Sequence, residues 1–331
     1  MKKPRILVVG SFMMDLIATT TRAPKEGETV IGLKFRTAPG GKGANQAVQC
    51  ARLGADVTMV GRVGGDAFGE VLVDSARSAG IDVSHVTVDP EESTGVAQIT
   101  LEVTETNALN RITVCPGANF TMTREHIAWL EKEIGNYDIV MMQLELPMAI
   151  IETVARWAKA ANVPVMLNPA PAAPLSDELL SCVTYLSPNE HEAAMMAGHE
   201  IDVSNGINME DVKAVSDWFA RRGVSKLIIT MGENGSLIAG KDGIGHTDSV
   251  RMERVVDTTA AGDSFVAAFC VGLTAGLREV DALAFASHAA AITVTRMGAT
   301  PSLPAIEEVQ ALIRQRGKAG FDPEILNALK R

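Results

Sequence analysis

No two cysteines in this 331-residue chain form a CxxC pair. The four present, Cys50, Cys115, Cys182 and Cys270, are scattered through apolar or helical settings. They read as buried free thiols in a reducing cytoplasm. Basic residues are outnumbered, with 30 Lys and Arg against 40 Asp and Glu, a formal charge of −10. A diffuse acidic balance excludes nucleic acid and anionic membrane as natural partners. It does not exclude phosphates, because local backbone amides bind anions on an acidic protein. No apolar run approaches the roughly 18 residues of a membrane helix. The opening "MKKPRILVVGSFMMDLIATTT" superficially resembles a leader peptide. Asp15 interrupts its apolar stretch, which reads better as a first strand. Internal repeats, low-complexity tracts and linkers are also missing, so the expectation is a cytoplasmic, single-domain protein over 1–331.

Hydrophobic residues make up 47% of the chain, ample for a large core. Short apolar runs rich in β-formers alternate with amphipathic helical stretches. The strand candidates are "RILVVGSF", "DVTMVGRVG", "DIVMMQLE", "VPVMLNPA", "VTYLSPNE" and "KLIITMG". Helix candidates between them include "GANQAVQCARLGA", "TREHIAWLEKEIG" and "AIIETVARWAKAAN". Several strands are continuously apolar, as a parallel sheet covered on both faces requires. The fold class is therefore α/β, a doubly wound, mostly parallel sheet with helices on both faces. Two segments break the rhythm. Residues 19–41 look like hairpin material, and 93–119 look like two strands with a turn near Asn107. Together they predict a small β-sheet appendage built from about 16–40 and 94–117.

In open α/β sheets, ligands sit beyond the carboxyl ends of the strands. Polar residues just after the strand runs are thus the site candidates: Asp15, Glu145, Asn168, Asn189, Glu192, Thr230 and Gly232. Helix capping and turn formation explain any one of them. Their collective placement is harder to explain that way.

The densest signal is "VVDTTAAGDSF", Val255 to Phe265. A turn of tiny residues precedes a long apolar helix. Such a turn lets backbone N–H groups at a helix N-terminus approach an anion, with the helix dipole assisting. Asp263 beside that anion site is placed to accept a substrate hydroxyl proton. The bland alternative is an ordinary first-turn acid. A second signal is "APGGKGANQAVQCARLGA". It is not a P-loop, because Lys42 is followed by Gly43 rather than Ser or Thr. Gly40 and Gly41 permit close backbone approach, and Asn45 opens the next helix with an amide for hydroxyls. Lys42 either binds phosphate or is solvated. Asn189 and Glu192, three apart, share a helix face. Near a phosphate site they suit a hydrated Mg²⁺, which keeps most of its waters. His191 between them reads as surface.

"GGKGANQA" and "DTTAAGDSF" resemble the two signatures of the ribokinase family, the pfkB-type carbohydrate kinases. "EGETV", "STGVA", "QLELP", "NPAPA", "PNEHE", "ITMGENG" and "VTRMGATPS" follow in the order of that family, so the resemblance covers nearly the whole chain. It implies an ATP-dependent sugar kinase that phosphorylates a pentose 5-hydroxyl, with Asp263 as base. Ala260, Ala261 and Gly262 would form the anion hole. Asp15, Gly41, Lys42, Asn45 and Glu145 would hold the sugar. Asn189, Thr230, Gly232, Gly262 and Ser287 would serve ATP, and Glu192 would serve Mg²⁺ through water. Asp257, Thr259, Thr293, Arg296, Gly298 and Ser302 match a monovalent-cation site, usually K⁺. The β appendage resembles a lid over the sugar that commonly pairs with a second subunit, so a homodimer is expected.

Two departures stand out. Where the family pattern G-S-x-N-x-D has asparagine, this chain has Met13. A methionine leaves a sugar hydroxyl desolvated and without a partner, at roughly 1–3 kcal/mol. It suits a carbon bearing no hydroxyl, which points to 2-deoxyribose; neutral packing with ribose as substrate is the alternative. Ser287 stands where the family often has a histidine near adenine, one position before His288. A kinase of another sugar or of a nucleoside remains a competing expectation. A non-catalytic sugar-binding regulator is disfavoured by the presence of both Asp263 and Gly262.

Overall fold

The computed structural model describes residues 3–103, 108–204, 206–317 and 319–330. In chain order the strands are β1 (Arg5–Val9), β2 (Met13–Thr20), β3 (Lys34–Gly40), β4 (Asp56–Gly64), β5 (Asp82–Asp89), β6 (Val96–Val103) and β7 (Ala108–Cys115). They continue with β8 (Ile139–Met142), β9 (Val165–Leu167), β10 (Tyr185–Leu186), β11 (Lys226–Thr230), β12 (Ser236–Gly240) and β13 (Gly243–Thr247). Among the described residues they form two sheets. The main sheet has the order β13-β12-β11-β10-β9-β8-β1-β4-β5. It is parallel except at one edge, where β12 and β13 run antiparallel. The small sheet has the order β3-β2-β6-β7.

The apolar runs follow from coverage of both faces. Ile6 and Val8 point into one hydrophobic cluster, with the helices Lys42–Arg52 and Ala261–Thr274. Leu7 and Val9 point into the opposite cluster, with Met148–Ala160 and Met209–Arg221. All four are fully buried, each stabilising the fold by roughly 1.5–3 kcal/mol. Strand side chains alternate between faces, so a strand covered on both sides has no polar position. The expected α/β class holds.

Several sequence expectations need correction. β5 belongs to the main sheet although its run was not singled out. "TREHIAWLEKEIG" forms two short helices, Arg124–Ile127 and Leu130–Glu133, rather than one. The small sheet begins earlier than expected, because β2 starts at Met13. Asp15 consequently sits within that small sheet, not at the end of a main-sheet strand. The turn near Asn107 lies outside the described residues.

Strand order places the site. Successive crossovers run in opposite directions from β1, with β4 on one side and β8 on the other. The crevice beyond the carboxyl ends of β1 and β8 is the topological switch point, where such sheets bind ligands. The segments after β1, β8, β9, β10 and β11 converge there.

Candidate active site

The turn at 257–260 sets the geometry of Asp263. Asp257 Oδ1 accepts from the Thr259 N–H at 2.9 Å and from Thr259 Oγ1 at 2.6 Å. Its Oδ2 accepts from the Gly298 N–H at 2.9 Å, joining two loops. Burial alone would raise the Asp257 carboxyl; these hydrogen bonds outweigh it and hold the group below its ordinary value. Ala260 takes a left-handed conformation, φ 60°, and starts the helix Ala261–Thr274. A non-glycine residue there is uncommon and marks a constrained turn. The first-turn N–H groups of a helix have no intrahelical acceptor. That of Ala261 turns to Thr258 O at 3.2 Å. Gly262 faces open space: a Cβ built there meets nothing within 4 Å.

Asp263 is buried on the third residue of that helix. Its Oδ2 accepts from Asn45 Nδ2 at 2.9 Å, and its Oδ1 from Gln46 Nε2 at 3.1 Å. Both donors lie on the helix Lys42–Arg52, which follows the glycine pair. Gly41 has φ +92°, and a Cβ on it would lie 2.7 Å from the Met13 nitrogen. A Cβ on Gly40 would lie 2.8 Å from Asp15 Oδ2. Only glycine lets β3 close on β2 at these two points.

Asp15, Glu145 and Asp263 bring three carboxylates to one wall. Burial, then the charges of Glu145, Asp263 and Asp257, push the Asp15 carboxyl up to about 7. Burial also raises Glu145, opposed by Ser11 and by Lys42. Glu145 Oε2 accepts from Ser11 Oγ and, at 3.0 Å, from the Lys42 N–H. Met13 is buried but belongs to neither hydrophobic cluster. Met14 and Leu16 pack on the core, so strand alternation puts Met13 on the Asp15 face.

A cleft of about 240 Å³ brings together Lys42, Asn168, Asn189, Glu192, Gly262 and Asp263. It shares Asn189, Thr230, Thr258 and Gly262 with a larger pocket of about 690 Å³. Gly232 and Ser287 line that pocket, with an apolar stretch from Val250, Met252, Phe265 and Val294. His288 points elsewhere: it is buried and its Nδ1 lies 2.7 Å from Ala284 O. His191 is exposed at the pocket rim.

Asn189 and Glu192 form a reciprocal helix cap. Asn189 Oδ1 accepts from the Glu192 N–H at 2.7 Å, and Glu192 Oε2 from the Asn189 N–H at 2.9 Å. Burial raises the Glu192 carboxyl, with Lys42 opposing. In the expected cation set, the Arg296 guanidinium turns to Glu308. Ser302 Oγ donates to Ala299 O at 2.7 Å, and Thr293 Oγ1 to Ala289 O at 3.0 Å. Around Asp257, backbone carbonyls are therefore the available oxygens.

Sequence reading missed four residues here. Gln46 donates to Asp263 and Ser11 to Glu145, and Gln143 donates to the Gln46 carbonyl. Asn119 pins the Ser11–Met13 segment, accepting from the Phe12 N–H at 2.9 Å and donating to Phe12 O at 2.8 Å. A buried polar residue inside an apolar helix was the available signal for Gln46.

Comparison with known proteins agrees with this geometry. The family model for pfkB family carbohydrate kinases matches residues 3–306. The chain is 40% identical to the ribokinase of Schizosaccharomyces pombe, over 92% of this chain and 96% of the relative. It is 37% identical to the Bacillus subtilis ribokinase, over 93% and 99%. It is 33% identical to a Salmonella typhi deoxyribokinase, over 92% and 96%. The structure of Arabidopsis thaliana ribokinase complexed with ribose and ATP superposes with a TM-score of 0.85 at 31% identity, covering 97% of this chain and all of that one. With both signature motifs converging on Asp263 and the match spanning nearly the whole length, this chain belongs to the pfkB family of carbohydrate kinases.

Proposed function

We propose that this protein is an ATP-dependent pentose kinase that transfers the γ-phosphate to the 5-hydroxyl of ribose or 2-deoxyribose. The observation that carries the reading is Asp263, buried on the first turn of a helix where the small cleft meets the larger pocket. The sugar lies against Asp15, Gly41, Asn45 and Glu145, and ATP lies in the larger pocket along Thr230, Gly232 and Ser287. Asp263 takes the proton of the 5-hydroxyl as its oxygen bonds to the γ-phosphorus. The bond from that phosphorus to the β-phosphate oxygen breaks, and ADP leaves. Lys42 and the backbone amides of Ala260, Ala261 and Gly262 meet the charge on the transferring group. Catalysis is then positioning plus electrostatic stabilisation.

The acidic and amide residues in the cleft fit a hydrated Mg²⁺. Glu192 would hold it through water, beside Asn189, and the ion would neutralise phosphate charge. Asp257, which joins the 257–259 and 293–302 loops, marks where K⁺ would sit, held by backbone carbonyls of those loops; it would fix the anion-hole turn. Met13 on the Asp15 face favours 2-deoxyribose, since a thioether replaces a hydrogen-bonding amide beside the sugar. The small sheet acts as a lid that excludes water. Ile17, Ile99 and Ile112 align across its strands on the Asp15 face, and Ile112 is 54% exposed. That apolar row supports pairing with the lid of a second copy. ATP supply and the buried free thiols of Cys50, Cys182 and Cys270 fit a cytoplasmic setting; no described helix is long and apolar enough to cross a membrane.

The test is ATP consumption with ribose and with 2-deoxyribose, with and without K⁺, for wild type and Asp263→Asn. Turnover lost in the variant supports the reading. Wild-type turnover with neither sugar overturns it.

A further inference from the structure

Gln46 is one of three buried amides, with Asn45 and Gln49, on the helix Lys42–Arg52. Its side chain is fully buried between the two sheet-facing helices and the ends of β8 and β9. Every polar atom of that amide has a partner. Nε2 donates to Asp263 Oδ1 at 3.1 Å and to Asn168 Oδ1 at 3.2 Å. Oε1 accepts from Gln143 Nε2 at 2.6 Å. Gln143 is itself buried just after β8, its Oε1 packed where a Cβ on Gly10 would lie 2.3 Å away. Asn168 is fixed in turn by donation from Nδ2 to Ser187 O at 2.8 Å.

The direction of this chain is forced. Turning the Gln46 amide over would set its carbonyl against a carboxylate and an amide oxygen, and its NH₂ against the Gln143 NH₂. Two oxygens facing each other in a buried site, with donors also facing, leave polar atoms unpaired. The Asp263 carboxylate and the Asn168 carbonyl, itself fixed by Ser187, therefore decide which end of Gln46 meets them, and Gln143 donates to the carbonyl left over. Asn45 approaches the other oxygen, so each Asp263 oxygen receives one amide N–H. A carboxylate accepts at both oxygens; a protonated carboxyl would turn an O–H toward one of these donors.

We propose that Gln46, its carbonyl held by Gln143 and its NH₂ shared between Asp263 and Asn168, is a positioning residue that keeps Asp263 an acceptor aimed at the substrate hydroxyl. Without Gln46, Asp263 would be held at Oδ2 by Asn45 alone, and Oδ1 would lose its donor. The proposal rests on Asp263 being the base of the kinase reaction, and its test separates the two.

Two variants and two readouts decide it. Gln46→Glu keeps the shape but faces Asp263 with a like charge; Gln143→Leu removes the donor to the Gln46 carbonyl without touching Asp263. In the kinase assay, Gln46→Glu is expected to lose about tenfold or more in kcat at pH 7 with KM for pentose and ATP within about twofold. The acidic limb of its kcat profile is expected to move up by about one pH unit, as like charges impose. Gln143→Leu is expected to lose kcat in the same direction, by about threefold. Thermal unfolding of each protein and of the Gln46→Glu/Asp263→Asn double variant reads the contact without turnover. Gln46→Glu should lower Tm more at pH 8 than at pH 5, and that difference should vanish when Asp263 is Asn. A folded Gln46→Glu protein with the wild-type pH profile, or Tm losses that simply add, overturns the proposal. So does a raised pentose KM with unchanged kcat, which makes Gln46 a sugar ligand. If wild type turns over neither pentose, the kinase reading fails, and the unfolding cycle still accepts or rejects the Gln46–Asp263 contact.

Discussion

Asn45 and Asp263, 218 positions apart, meet through a 2.9 Å hydrogen bond from Nδ2 to Oδ2. Thr300 Oγ1 lies 3.1 Å from Asn45 Oδ1, so the amide presents its NH₂ to the carboxylate. The two signature motifs are thereby joined at one atom pair. Asn45 comes from the glycine-rich turn that closes on β2, and Asp263 from the turn anchored by Asp257.

Asp263→Asn should abolish proton acceptance while keeping shape. General-base assistance contributes typically ~10²–10⁴-fold, and kcat should fall by an amount in that range. Pentose KM should change little, because an amide still occupies the site. Steady-state kinetics with coupled ADP detection checks both parameters.

Gly262→Ala isolates the anion-hole turn. A Cβ there meets no atom of the protein within 4 Å, so folding and Tm should match wild type. The methyl group points into the space that the γ-phosphate must cross. We expect kcat to fall by about tenfold or more, with intact stability by calorimetry. A fully active variant would show that phosphate passes elsewhere.

If Asp15 holds the sugar as proposed, pentose affinity should depend on pH. Its carboxyl is pushed up to about 7, from a model-compound value of 3.8. The ionised form accepts hydrogen bonds from sugar hydroxyls, so pentose KM should fall as pH rises from 6 to 8. Asp15→Asn should flatten that dependence. Stability runs the other way. Between 3.8 and about 7 the folded state binds more protons than the unfolded state. The contribution of Asp15 is thus fully present below 3.8 and is lost as pH rises through about 7. Asp15→Asn should raise the Tm of the unliganded protein at pH 8 and change it little at pH 4.

Met13→Asn tests sugar choice. Restoring an amide beside the sugar should raise kcat/KM for ribose relative to 2-deoxyribose by about tenfold, the equivalent of one hydrogen bond to a hydroxyl. An unchanged ratio, with ribose far ahead in wild type, would make Met13 simple packing.

Asp257→Ala should cost the K⁺ response. The carboxylate ties Thr259 to Gly298 across two loops, and its loss frees the Ala260 turn. Activity measured with and without KCl should become equally low in both.

The apolar runs of β1, β8 and β9 were legible because two-sided burial leaves almost no polar position to read. The two glycine-rich motifs were legible because a turn that exposes backbone amides must be built from contiguous small residues. Asp263, Asn45 and Asp257 came with those motifs. Other elements carried no such pattern. The helix Glu279–Thr293 is buried on nearly every side, so it lacks the amphipathic period that marks a surface helix. β12 and β13 join the sheet edge by antiparallel pairing that no run of residues announces.

The sequence by itself determined the α/β layering and the two glycine-rich turns that carry Asn45 and Asp263. Tertiary structure alone decided what surrounds that acid: Gln46 donating to both Asp263 and Asn168, Asp15 raised by burial and then by Glu145, and Asn189 tied into a helix cap. The reason is physical. Backbone shape in a turn depends on neighbours in sequence, whereas the charge and direction of a buried side chain depend on groups that only folding brings within 3–4 Å, about hydrogen-bond and contact range.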